Sequence, residues 1–189
     1  ATHQVMKGYW GGFMTAIFQH PKASLDPLET IGRQVVESVA LAHPEDSAQQ
    51  HRERAVHWLG EVQLTDPIRV FASYPHELSG GMCQRAMIAV AIAREPLLLI
   101  ADEPTTGLDS TVRAEIVELF RSLLEHSDRS MVYISHDIRE VLYLADRVVV
   151  MRHGKIVETV SAEDLHRGRG ERHPYTRLLM TASEMAFTE

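Results

Sequence analysis

Apolar residues recur along the chain in two rhythms, and the switches between them outline its elements. Phe13-Met14-Thr15-Ala16-Ile17-Phe18 is short, apolar and partly β-branched, and it stops at Gln19-His20-Pro21. Proline disfavours helix in the residue before it, so the segment reads as a strand ending in a loop. Over residues 28–42, and again over 47–64, apolar positions fall at helical spacing: Ile31, Val35, Val36 and Val39, then Ala55, Trp58, Leu59 and Val62. These are amphipathic helices separated by His43-Pro44-Glu45-Asp46. A Pro-containing loop follows. Ser79-Gly80-Gly81 then signals a helix start, and residues 82–93 form a helix with small apolar residues nearly all round, hence buried. Leu97-Leu98-Leu99-Ile100-Ala101 runs into Asp102-Glu103-Pro104 as a central strand of a parallel sheet.

The second half continues the alternation. Val112, Ile116, Leu119, Phe120 and Leu123 mark an amphipathic helix, and Ser130-Met131-Val132-Tyr133-Ile134 another buried strand, followed by Ser135-His136-Asp137 and a short helix. Residues 147–151 and 155–160 make a hairpin around His153-Gly154, and Ser161-Ala162-Glu163-Asp164 opens a helix through a capping box. Strands alternating with helices predict an α/β domain. Its core spans residues 1–24 and 96–160, a helical insertion covers 25–95, and 161–189 form a C-terminal extension.

Composition narrows the classes. With 189 residues, 44% of them hydrophobic, the chain suits one domain with a substantial core, and 6% aromatics with eight Met make that core aliphatic. The formal charge of −7 argues against a protein whose main task is gripping nucleic acid, which needs clustered Lys and Arg. One cysteine, Cys83, excludes an internal disulfide framework and reads as a small buried hydrophobe. The longest unbroken apolar run, residues 86–93, is far short of the about 20 residues a membrane span needs. The start lacks a secretory pattern, so the expectation is a soluble, cytoplasmic protein.

In open α/β sheets ligands bind beyond the carboxyl ends of the strands. Gln19, Asp102-Glu103 and His136 all fall there. Adjacent residues at a strand end point opposite ways, so one carboxylate can hold Mg²⁺ through water while the other faces a nucleophile. A lone Asp-Glu pair is commonly a solvated strand terminus. The apolar run before this pair and Pro104-Thr105-Thr106-Gly107-Leu108-Asp109 after it favour the chemical role. Ser79-Gly80-Gly81 leading into a helix offers bare N–H groups, a positive dipole end and a hydroxyl, which suit a phosphate. An ordinary capping turn has the same letters. The other ten histidines are scattered and read as surface residues.

Together these segments resemble the ATP-binding cassette ATPases. Leu78-Ser79-Gly80-Gly81-Met82 with Gln84-Arg85 resembles the family signature, residues 97–103 its Walker B strand and catalytic glutamate, and Thr106-Gly107-Leu108-Asp109 its D-loop. Ser135-His136-Asp137 resembles the switch-histidine loop and Phe18-Gln19 the Q-loop. Within the family, Ser24-Leu25-Asp26-Pro27, Met82 and His173-Pro174-Tyr175-Thr176 resemble the oligopeptide, dipeptide and nickel importer branch.

The resemblance implies a P-loop NTPase-type (RecA-like) parallel sheet core with an inserted helical subdomain, and ATP and Mg²⁺ as cofactors. It implies that Ser79, Gly80 and Gly81 contact the γ-phosphate of nucleotide on a partner cassette, and that Asp102 holds Mg²⁺ through water. Glu103 becomes the general base, His136 a γ-phosphate ligand, Gln19 a sensor of Mg²⁺ and attacking water, and Asp109 the coupling between two sites. The implied partners are a second cassette in a head-to-tail dimer, membrane permease subunits and, indirectly, an extracytoplasmic substrate-binding protein, with no nucleic acid. The place is the cytoplasmic face of the plasma membrane. Substrate uptake of peptides or nickel is the implied task; a non-transport cassette ATPase and a non-hydrolytic, signature-donating half are the alternatives. The family's glycine-rich loop, G-x-x-G-x-G-K-[ST], does not occur, and Gly11-Gly12 is no substitute because no Lys follows at the required spacing. The expectation is therefore an N-terminally incomplete domain that does not bind ATP in the usual way alone.

Overall fold

The computed structural model describes residues 12–125 and 127–185. Gly11, the first residues of the expected core and the end of the expected extension lie outside them. The chain forms two compact units, Ala1–Val132 and Tyr133–Glu189.

In the first unit, strand β1 (Met14–Ile17) pairs in parallel with β2 (Leu98–Asp102), Ile17 opposite Ala101. Phe13 O accepts from the N–H groups of both Leu97 and Leu98 at 3.0 Å, which sets the start of the ladder. A third strand, β3 (Ser130–Ile134), completes the order β1-β2-β3 and begins with Ser130 N–H donating to Leu97 O at 2.8 Å. β2 is thus the central strand, as its apolar run predicts. Only Leu99 and Ala101 of that run are fully buried, while Leu97 precedes the strand and is exposed. β3 corrects the expectation of a buried strand: Val132 and Ile134 are 48% and 47% exposed. Apolar β-branched content reports that a segment favours the pleated conformation; it does not report what covers the face.

Between β1 and β2 the chain is helical, as predicted. Helix α1 (Pro21–Ser24) starts on Pro21, and α2 (Ile31–Ala42) is capped by the Thr30 side chain accepting from Arg33 N–H. Helix α3 (Ala48–Glu61) opens on a full capping box, Ser47 with Gln50. The expected loop that follows contains α4 (Pro67–Ala72) and a 3-10 turn (Pro75–Glu77), each begun by a proline whose missing N–H costs nothing at that position. Helix α5 (Gly80–Ile92) is buried on most sides and carries Cys83, fully buried, whose thiol donates to Pro75 O at 3.2 Å. Gly32 lets α2 and α4 touch, since a Cβ there would stand 2.3 Å from the Phe71 ring. Helix α6 (Ser110–Glu125) buries Ile116, Leu119, Phe120 and Leu123 of its predicted stripe.

In the second unit, α7 (Ile138–Leu144) precedes the hairpin β4 (Arg147–Arg152) and β5 (Lys155–Ser161). His153 and Gly154 both have left-handed backbone, φ 49° and 73°, as a tight hairpin requires. Helix α8 (Ala162–His166) is capped by the Ser161 side chain, and α9 (Pro174–Met185) closes the unit. Val148, Val150, Ala162 and Leu165 form its core, with Val141, Tyr175 and Leu179 packed against it.

Candidate active site

The parallel register puts Gln19 and Glu103 at the same edge of the first unit's sheet, each two residues beyond the paired Ile17 and Ala101. Asp102 is exposed and Glu103 half-buried. Glu103 has left-handed backbone, φ 45°, in a residue type that rarely adopts it. Such strain persists only where the surroundings enforce it. Here Thr106 enforces it from two sides: its N–H donates to Glu103 O at 3.2 Å, and its hydroxyl to Glu103 Oε2 at 2.8 Å. The carboxylate leaves the strand in a fixed direction, with one oxygen partnered by Thr106.

A second element of this unit presents Ser79, Gly80 and Gly81. Ser79 is exposed and caps α5, its Oγ accepting from Met82 N–H at 3.3 Å. The two glycines differ. Gly81 is needed inside, because a Cβ there would stand 2.7 Å from Val112 Cγ1 on α6. Gly80 has no atom within 4 Å of where a Cβ would sit, so nothing in the fold demands its smallness. Asp109 caps α6, accepting from the N–H groups of Thr111 and Val112 at 3.1 and 3.0 Å. Gly81 and Asp109 therefore meet the same first turn of α6. Arg85, almost fully buried, ties these helices together: it donates to Val62 O at 3.0 Å, Gln63 Oε1 at 3.1 Å and Glu115 Oε2 at 2.8 Å.

His136 belongs to the second unit, where it is exposed just past β3. Ser135 Oγ accepts from Asp137 N–H at 3.0 Å, a turn that encloses His136. Asp137 caps α7 and pairs with Arg139, and that hydrogen bond raises the Arg139 guanidinium above its ordinary value, against desolvation. Among the described residues, no group of three or more His, Cys, Asp or Glu is arranged to hold a metal ion.

Comparison with known proteins decides what these pieces belong to. Residues 5–106, more than half the chain, match the profile of the family described as ABC transporter. The chain belongs to the ABC transporter family. It is 45% identical over 177 residues to a "Probable peptide ABC transporter ATP-binding protein" of Sinorhizobium fredii, covering 94% of this chain and 52% of the relative. Against the "Peptidoglycan transport ATP-binding protein" of Agrobacterium fabrum the identity is 45%, over 95% of this chain and 32% of the relative. Against the "Glutathione import ATP-binding protein" of Escherichia coli strain K12 it is 41%, over 94% and 28%. The chain thus spans about half or less of the length of these relatives. A solved dimeric ATP-binding cassette, in a post-hydrolysis state bound to ADP and Pi, superposes with a TM-score of 0.73 at 27% identity, covering 84% of this chain and 67% of that one. The fold is therefore that of an ABC cassette, a P-loop NTPase-type α/β architecture.

Within this family frame, the structure brings Gln19, Asp102 and Glu103 to one sheet edge and sets Gly81 against the helix that Asp109 caps. Two supports lack a signal of their own in the sequence. Thr106, which holds Glu103, is not a residue type that flags itself. Arg85 of the signature is a buried strut. The branch-marking residues turn out to be structural as well. Asp26 and Gln34 exchange hydrogen bonds, Asp26 N–H to Oε1 at 2.9 Å and Nε2 to Asp26 O at 3.0 Å. In the tail motif, His173 Nδ1 accepts from Tyr175 N–H at 3.1 Å, while His173 N–H and the buried Thr176 hydroxyl both donate to Glu158 of β5. That motif fastens α9 to the hairpin.

Proposed function

We propose that the chain works as part of an ATP-hydrolysing cassette that energises uptake of peptides across a membrane. The observation that carries this is the corner after β2, where an exposed Asp102 adjoins a strained, half-buried Glu103 held by Thr106. In this reading Glu103 takes the proton from the attacking water, and Thr106 keeps the carboxylate aimed. Phosphoryl transfer depends chiefly on positioning and charge stabilisation, so a fixed base is the part the protein must supply. The donor set suits a hard cation: an exposed carboxylate at Asp102 and the amide oxygen of Gln19 are oxygen ligands of the kind Mg²⁺ takes alongside water and phosphate. Mg²⁺, when bound, supplies charge neutralisation at the phosphates. Ser79 and the open backbone at Gly80 would meet the γ-phosphate of nucleotide held by a partner cassette, with His136 a further donor to phosphate and Asp109 facing the partner.

Peptides are favoured over nickel because the relatives' names speak of peptide, peptidoglycan and glutathione, itself a small peptide. The partners in this reading are a second cassette, permease subunits and, through them, an extracytoplasmic binding protein, with the chain peripheral on the cytoplasmic face. Among the described residues no helix is long and apolar enough to cross a membrane. The reading is tested by measuring phosphate release and ATP binding in a full-length version of the chain. Release that falls about 10²-fold or more with Glu103→Gln while ATP binding persists is expected. Turnover that ignores Glu103→Gln overturns the reading.

A further inference from the structure

In the second unit, the polar groups around His136 converge on one buried carboxylate. Glu140, in the first turn of α7, is only 6% exposed. Its Oε2 accepts the Tyr133 hydroxyl at 2.7 Å and the Ser135 hydroxyl at 3.0 Å. Ser135 Oγ is at the same time the acceptor for Asp137 N–H at 3.0 Å. A hydroxyl has one proton, and giving it to Glu140 turns a lone pair toward Asp137. The carboxylate thus fixes the direction of the hydroxyl, and the hydroxyl fixes the turn whose middle residue is His136. Asp137 continues the chain of constraints by accepting from Arg139 N–H at 3.0 Å as the cap of α7. A buried carboxylate accepting two hydroxyl donors is a demanding arrangement, since removing it takes this acceptor from both.

From this we infer that Glu140 is the positioning residue of His136: through Ser135 it holds the turn that aims the imidazole. The inference rests on the reading of His136 as a residue that meets nucleotide, but its own test does not need that reading. Four variants are compared in the 189-residue chain: Glu140→Leu, Glu140→Gln, Ser135→Ala and the Ser135→Ala, Glu140→Leu pair. The readouts are NMR of the His136 ring and hydrogen exchange at the Asp137 amide, followed by phosphate release by the same variants in a full-length version of the chain.

Glu140→Leu is expected to shift the His136 ring signals and to speed Asp137 exchange about tenfold, the loss of roughly one charge-assisted hydrogen bond. Glu140→Gln restores both, because a single oxygen accepts both hydroxyls. The double variant adds nothing to Ser135→Ala, since the two residues act through one bond. In the full-length version, kcat falls about tenfold in Glu140→Leu with little change in KM, as an interaction made mainly in the transition state requires. Unmoved ring signals and unchanged Asp137 exchange in Glu140→Leu overturn the inference, as does failure of Glu140→Gln to rescue. If Glu140→Leu does not fold, Ser135→Ala decides alone: it keeps the Tyr133–Glu140 bond, and an unmoved His136 ring overturns the inference. Shifted ring signals with unchanged phosphate release support Glu140 as positioner and overturn instead the placing of His136 at the nucleotide.

Discussion

The corner after β2 and the turn after β3 solve one problem in two ways. Each must hold a chemically useful side chain at a strand end, where the ladder no longer fixes the backbone. At Glu103 the backbone itself is forced into the left-handed region, and the nearby Thr106 holds both the carbonyl and the carboxylate. At His136 the backbone follows a Ser135–Asp137 turn without such strain, and the support comes from a buried carboxylate one helical turn on. The difference teaches where each site is vulnerable. The corner depends on a neighbour within its own loop, while the turn depends on a buried carboxylate of the helix that follows.

The largest effect should come from the corner. Glu103→Gln in a full-length version of the chain is expected to lose about 10²-fold or more in turnover while ATP binding persists, measured as phosphate release beside nucleotide binding. Unchanged turnover removes Glu103 from the mechanism. Next, the paired glycines test whether support and chemistry separate at α5 too. Gly81→Ala forces a Cβ against Val112 and should cost about 1–3 kcal/mol in thermal or denaturant unfolding. Gly80→Ala, with open space around it, should change stability by less than about 0.5 kcal/mol, and a larger loss there would show an unseen packing role.

Thr106→Val sharpens the comparison at the corner. It removes one hydrogen bond to a charged group and should lower turnover roughly tenfold with little loss of stability, a split read from kinetics and unfolding together. Full turnover in Thr106→Val would mean that the Thr106 bond is not what aims Glu103. The smallest effect is expected from Tyr133→Phe. It takes the Tyr133 donor from Glu140 and leaves Ser135 in place, so it should cost about 1 kcal/mol or less of stability and leave the His136 ring signals unmoved. A moved ring would place the Tyr133 bond inside the positioning device.

How much was legible depended on whether a residue announces itself by period or by motif. The all-round small apolar surface of α5, the Ser79 cap and the central place of β2 follow from local pattern, because helix capping and apolar runs act over a few neighbours. The segments 67–72 and 75–77 read as loop in the sequence and are helical in the structure, since a short turn begun by proline has no periodicity to detect. The exposure of Val132 and Ile134 was missed for a related reason: apolar letters specify a preference for burial, and burial is decided by elements far away in the chain.

The sequence by itself determined the family and most of the order of strands and helices, and it named the strand-end groups proposed to do the chemistry: Gln19, Asp102, Glu103 and His136. It did so because those signals are short in range and rest on residue type and spacing. Only the tertiary structure decided which neighbours hold them. Thr106 on Glu103, Glu140 beneath Ser135, Arg85 bridging to Glu115, and Val112 against Gly81 are relations of distance and direction. A hydrogen bond or a close contact exists only once two elements are packed, and no period or spacing along the chain encodes the few tenths of an ångström on which each depends.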